Sequence, residues 1–145
     1  IMRVVVQRSG YSSVSVDKKL VNEIDKGLVL LVSFTHTDTK ENILKMVKKI
    51  VHLRIFDDEN GIMNKSILDA HGQILSISQF TLYANTKKGN RPSYIDALNG
   101  EEAIKLYELF NQELSKYIVT KAGVFGADMS VAISNDGPVT ILLEC

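Results

Sequence analysis

The longest uninterrupted apolar run in this chain, residues 28–32, is its strongest constraint. It is far short of the roughly 18 apolar residues needed to cross a bilayer. It also lacks the polar alternation that would leave one face to water. It reads as part of a strand over residues 28–34, opened by Gly27 and buried on both faces. The preceding sequence supplies an antiparallel meander: a β-branched run over residues 3–8, alternation over 13–16, and a turn at Asp17, Lys18 and Lys19 into residues 20–24. Residues 73–80 read as a further strand and 54–56 as a short one. Residues 131–134 and 139–143 read as two strands around Asn135, Asp136, Gly137 and Pro138. Two segments carry helical spacing instead. Ile43, Val47, Ile50 and Val51 recur behind cap candidates Thr37, Asp38 and Thr39, predicting a helix over 39–53. Ile104, Tyr107, Leu114 and Tyr117 predict a second over 101–117. Seven or eight strands, partly consecutive, with two main helices indicate a strand-rich α/β sandwich with helices on one side.

Composition narrows the function classes. At 145 residues, 45% hydrophobic and 23% charged, the chain fits one domain with a sizeable core. Met2 reads as the natural first residue and Ile1 as an addition, so the domain is expected over residues 2–145. No charged stretch followed by an apolar core and cleavage site is present, so no signal peptide is expected. The only cysteine is Cys145, which fits a reducing, cytoplasmic setting. The net charge is zero. A protein that wraps long nucleic acid usually has a basic balance, so any RNA contact here is expected to be a grip on one end.

Common catalytic signatures are missing. His36, His52 and His71 stand without ligand-spaced partners and read as structural or surface residues. No P-loop, G-x-G-x-x-G or G-x-S-x-G is present. Asp57, Asp58 and Glu59 lack the glycine and spacing of a calcium loop and read as a solvated turn. Three segments carry more information. Ser78, Gln79, Phe80, Thr81 and Leu82 close a strand, where Gln79 and Thr81 would share one face; the plain alternative is a half-exposed strand end. Asn135 to Thr140 contains the turn signal Asp136-Gly137. Pro138 is unexpected there, because it removes an N–H where pairing should resume. Lys87, Lys88 and Arg91 sit with Gly89 in the one concentrated basic loop, which suits a phosphate or is simply solvated.

At these segments the chain resembles the D-aminoacyl-tRNA deacylase family. The family's Ser-Gln-x-Thr motif stands here as Ser78 to Thr81, and its Asn-x-Gly-Pro-Val-Thr motif as Asn135 to Thr140. Residues 2–8, 88–93 and 125–129 also look like the family. The resemblance implies a homodimer with a three-layer β/β/α fold, acting in the cytoplasm on D-aminoacyl-tRNA and mischarged glycyl-tRNA. It implies no metal and no organic cofactor. It places the active site at the dimer interface, with Ser78, Gln79, Phe80 and Thr81 as the catalytic segment. It also implies a cis Gly137–Pro138 pair that enters the partner's pocket and rejects L-amino acids. Phe125 and Met129 match positions that help hold the terminal adenosine. Lys87, Lys88, Arg91, Asn135 and Thr140 are further expected binding residues.

Rigid backbone placed where an L side chain would project can exclude it while ignoring a D side chain's identity. Glycine, with no side chain, escapes that device. For the chemistry, two schemes stand. Thr81 is a nucleophile needing a base, or the tRNA's own 2′-hydroxyl helps activate water while N–H groups near Phe80 and Thr81 hold the oxyanion. Absence of an evident base favours the second. A non-catalytic RNA-binding module, stacking bases on Phe80, Tyr83 and Tyr94, is the rival from another class; a plain interaction domain, with the Gly-Pro loop only a turn, is the third.

Overall fold

The computed structural model describes residues 1–145. The chain runs β1 (Arg3–Val16), β2 (Lys19–Ile24), β3 (Gly27–Ser33), α1 (Lys40–His52), β4 (Phe56–Asp57), β5 (Met63–Lys65), α2 (Ile67–Ala70), β6 (Gln73–Ser78), a 3-10 turn (Phe80–Tyr83), α3 (Gly100–Ser115), β7 (Thr120–Ala122) and β8 (Met129–Glu144). Strand β1 organises the sheet. Along one edge it pairs with β3 over its first half and β2 over its second; β8 pairs antiparallel along the whole other edge. Strands β3, β6 and β7 are parallel. Parallel neighbours need crossovers, and the segments carrying α1 and α3 supply them. The β1–β2 hairpin turns through Asp17 and Lys18, both at positive φ, the geometry a two-residue hairpin requires.

Three layers result. Leu28, Leu30 and Val32 of β3 face α1 and α3, packing with Val4, Val6, Ile43, Met46, Ile50, Phe110 and Leu114. Val29 faces the other way and joins Val14, Ile24, Leu75 and Ile77 in a second core between two β layers. The central strand is buried on both faces, as its unbroken apolar run predicts. The far end of the sheet curls nearly closed: Asn22 Nδ2 donates to the Ala122 carbonyl at 2.7 Å and Lys121 Nζ to the Glu23 carbonyl at 3.0 Å. Strand β8 keeps its outer edge unpaired. No helix is long and apolar enough to cross a membrane.

Several boundaries depart from the sequence reading. Residues 3–8 and 13–16 belong to one 14-residue strand. Residues 131–134 and 139–143 are likewise one strand, and Asp136-Gly137 is not a hairpin turn. Both halves of β8 pair with β1 in the same sense, so the turn residues form an outward bulge rather than a reversal. Opposite the single residue Arg8 lie residues 136–139, between the pairs Ser9–Asn135 and Gln7–Thr140. The expected strand over 54–56 is instead a small ribbon of β4 with β5. The strand expected to reach Phe80 stops at Ser78 and tightens into the 3-10 turn. The short α2 and β7 had no periodic signal at their length.

Gly27 fixes the approach of β3 to β6. Its φ is +146°, and a Cβ there would lie 1.8 Å from the Gln73 carbonyl oxygen. Gly27→Ala is expected to destabilise the fold by more than about 3 kcal/mol. Denaturant unfolding checks this; an unchanged midpoint would mean the two strands can separate freely at that point.

Candidate active site

The site begins where β6 ends. Gln79 N–H donates to the Val32 carbonyl at 2.7 Å, pinning the strand end, and the chain then turns. Gln79 and Thr81 do meet, through the turn and not through strand alternation: Gln79 Nε2 donates to Thr81 Oγ1 at 2.5 Å. The N–H groups of Phe80 and Thr81 have no main-chain acceptor. Phe80 is 44% exposed, a high value for phenylalanine, and meets Tyr94 edge-on at 5.1 Å.

A pocket of about 350 Å³ opens beside this turn. Ser78, Gln79 and Phe80 line one side, and Phe125, Asp128 and Met129 another, over a floor of Ile77. The two groups are far apart in sequence; the β6–β7 pairing and the start of β8 bring them together. Helix α3 supports Phe125 from behind, with the Tyr107 ring 5.8 Å away. Tyr107 is itself tied by its hydroxyl to the Ser76 carbonyl at 2.7 Å. Burial pushes the Tyr107 pKa up, so it remains a neutral donor. Among the lining residues only Asp128 is ionisable. The pocket therefore offers an aromatic and thioether surface, the amides of Gln79 and Asn99, the Ser78 hydroxyl and the Asp128 carboxylate, but no histidine, lysine or cysteine; Thr81 stands in the turn beside it and does not line it.

The second motif sits elsewhere on the chain. Residues 136–138 project from β8, exposed, and line none of the main pockets of the chain. The Gly137–Pro138 peptide is cis. Asn135 and Thr140 close the base of the bulge: Asn135 Nδ2 donates to Thr140 Oγ1 at 2.9 Å, and Gln7 Nε2 to the same oxygen at 3.2 Å. Beneath the bulge lies Arg8, which sequence reasoning missed. Its Nη1 donates to the Ile55 carbonyl at 2.8 Å, and its Nε lies 3.2 Å from Asp136 Oδ2. Gly137 has φ +117°, and a Cβ there would come within 3.0 Å of Arg8 Nη2. One signal was available in the sequence: Arg8 follows Met2, Val4 and Val6 in the inward register of β1, where an arginine needs partners.

The basic loop is closed by Asn85 and Ser93, whose N–H groups and carbonyls exchange bonds at 2.8 and 2.9 Å. Lys87, Lys88 and Arg91 project from it, exposed. Lys87 lines a cleft with Arg3, Tyr83 and Asp96. The Arg3 guanidinium stacks 4.4 Å over the Tyr83 ring. Burial, reinforced by the Asp38 charge, pushes the Tyr83 pKa up to about 12. The histidines are peripheral: His36 binds the Ile95 carbonyl, His52 the Lys48 carbonyl, and His71 ends α2 in a left-handed conformation.

Comparison with known proteins places this arrangement. A structure described as a probable eukaryotic D-amino acid tRNA deacylase superposes with a TM-score of 0.84 at 17% identity, over 98% of each chain. That likeness shows the fold. The c-Myc DNA Unwinding Element Binding Protein superposes with a TM-score of 0.94 at 41% identity, over 99% of this chain and 98% of that one. Proteins named D-aminoacyl-tRNA deacylase from Bacteroides fragilis and Listeria monocytogenes are 56% and 55% identical over 99% of this chain, and over 97% and 95% of their own lengths. The family model described as D-Tyr-tRNA(Tyr) deacylase matches residues 5–144. The chain belongs to the D-Tyr-tRNA(Tyr) deacylase family, a family of hydrolases.

Proposed function

We propose that the chain is a cytoplasmic homodimer that hydrolyses the ester of D-aminoacyl-tRNA, releasing D-amino acid and tRNA, and that it accepts glycyl-tRNA while rejecting L-aminoacyl-tRNA. The observation carrying this reading is the Arg8-held bulge: a rigid backbone segment projects from the sheet and lines none of the main pockets of its own chain. Its natural place is the pocket of a second copy, and the unpaired outer edge of β8 leaves surface for that copy. There the carbonyls of Gly137 and Pro138 would accept from the substrate's α-ammonium group, and the bulge would occupy the volume of an L side chain. Asn135 and Thr140 then act by holding the bulge, not by touching substrate.

The pocket side supplies the rest. Phe80, Phe125 and Met129 offer apolar surface for the terminal adenine. The N–H groups of Phe80 and Thr81, which have no main-chain acceptor, would hold the oxyanion. Water is activated with help from the tRNA's 2′-hydroxyl, since the pocket holds no histidine or lysine and its single carboxylate is Asp128. The test is hydrolysis of matched D- and L-tyrosyl-tRNA with a chelator present. Rapid loss of the D ester alone is expected. Equal cleavage of both would remove the chiral role of Gly137 and Pro138. Binding without cleavage would favour the RNA-binding module, which the likeness to a protein named for DNA binding makes the reading to exclude.

The basic loop lies next to the pocket through the Phe80–Tyr94 contact, and is assigned to phosphates near the acceptor end. Changing Lys87, Lys88 and Arg91 together to glutamine is expected to weaken tRNA binding about tenfold and to flatten its salt dependence. Filter-binding titrations at several salt concentrations measure both; no change in either would make the loop merely solvated.

A further inference from the structure

Helix α1 carries a second cationic surface that the active-site reading leaves unused. Its apolar stripe of Ile43, Met46, Val47, Ile50 and Val51 is buried. Lys45, Lys48 and Lys49 share the opposite face at three- and four-residue spacing, and His52 and Arg54 extend it. These five residues line one open cleft of about 630 Å³, together with Leu53 and Cys145. None of the three lysines forms an ion pair. Like charges at this spacing repel one another along a helix, and a bound polyanion would relieve that repulsion.

Its position relative to the bulge identifies the polyanion. Arg54 is held in place by Asn64, through both the main-chain carbonyl and the side-chain oxygen. The next residue, Ile55, gives its carbonyl to Arg8, which in turn anchors the bulge. A short path through Arg54, Ile55 and Arg8 thus connects the end of the cationic face to the base of the bulge. We infer that the Lys45–Lys48–Lys49 face of α1 binds the phosphate backbone of the tRNA's double-stranded acceptor stem. This rests on the deacylase reading above, and adds that the subunit lending the bulge also grips the stem, while the partner's pocket and basic loop take the aminoacyl end.

The test compares the full-length protein with a variant carrying Lys45→Gln, Lys48→Gln and Lys49→Gln together. Glutamine keeps helix propensity, and circular dichroism verifies folding. Lys105→Gln on α3 serves as the charge control. The probes are D-tyrosyl-tRNA and a D-tyrosylated single-stranded 3′ fragment without the stem. For the tRNA, KM is expected to rise about tenfold at low salt with kcat retained, and the slope of log affinity against log salt to fall by about two. The fragment's KM should not move, and Lys105→Gln should behave as the parent. Unchanged tRNA affinity and salt slope would overturn the inference, as would an equal loss on the fragment. If the parent bound tRNA through these lysines yet hydrolysed neither probe, the RNA-binding face would stand and the deacylase reading would fail.

Discussion

Replacing Arg8 by methionine is expected to lower D-aminoacyl-tRNA hydrolysis about a hundredfold, the scale on which small misplacement of a positioned group costs rate, and to collapse discrimination against L esters. The side chain is only 10% exposed; it donates one hydrogen bond, to the Ile55 carbonyl at 2.8 Å, and makes two ion-pair contacts, with Asp136 at 3.2 Å and Asp57 at 3.5 Å. They are not equal. Asp136 and Asp57 are 63% and 54% exposed, so water screens both pairs and each contributes at most about 1 kcal/mol. The buried bond to Ile55 is the stronger, about 1.5–3 kcal/mol for a charged donor. Methionine keeps the length of the side chain but can join neither Ile55 nor Asp136, so β4 and the bulge lose their shared anchor. Thermal unfolding should report a loss of about 2–3 kcal/mol. Arg8→Lys should fall between, since one ammonium reaches one acceptor well but not the fork of them. Rates measured on D and L substrates separate the roles: a destabilised variant with parental rate and selectivity would leave Arg8 a structural residue only.

The second large effect lies on the substrate. A tRNA ending in 2′-deoxyadenosine is expected to be hydrolysed a thousandfold or more slowly, within the range attributed to general acid–base help. Thr81→Ala is expected to stay within about tenfold of the parent. The geometry separates the two. Thr81 Oγ1 already accepts a bond from the Gln79 amide, which draws electron density from the oxygen a nucleophile would use, and neither a histidine nor a lysine lines the pocket, whose one ionisable side chain is Asp128. The N–H groups of Phe80 and Thr81 belong to the main chain and survive the substitution. Single-turnover rates on both substrates and both proteins decide the matter. A thousandfold loss in Thr81→Ala with binding intact, beside normal cleavage of the deoxy substrate, would restore the acyl-enzyme scheme.

Much of this protein was legible before its structure. The helix stripe around Ile43, Val47 and Ile50, the two-faced burial of residues 28–32 and the hairpin at Asp17 and Lys18 follow from periodicity and turn chemistry, which act over a few neighbouring residues. The segments at Ser78 to Thr81 and Asn135 to Thr140 stood out by composition and by family resemblance. What the sequence by itself determined was therefore the two main helices, the central strand, the layer class and the unusual segments. Tertiary structure decided which way those segments face and what they meet. Asp136-Gly137 reads locally as a reversal and becomes a bulge only because β1 pairs with both halves of β8. Gln79 and Thr81 meet through a 3-10 turn that no alternation predicts, and Phe125 reaches Phe80 only through the β6–β7 pairing. Arg8 meets Ile55 and Asp136, both far from it along the chain, only in the folded sheet. The physical reason is one throughout: periodicity records which face of an element avoids water, while the partner that covers that face is chosen by pairing and packing between distant residues.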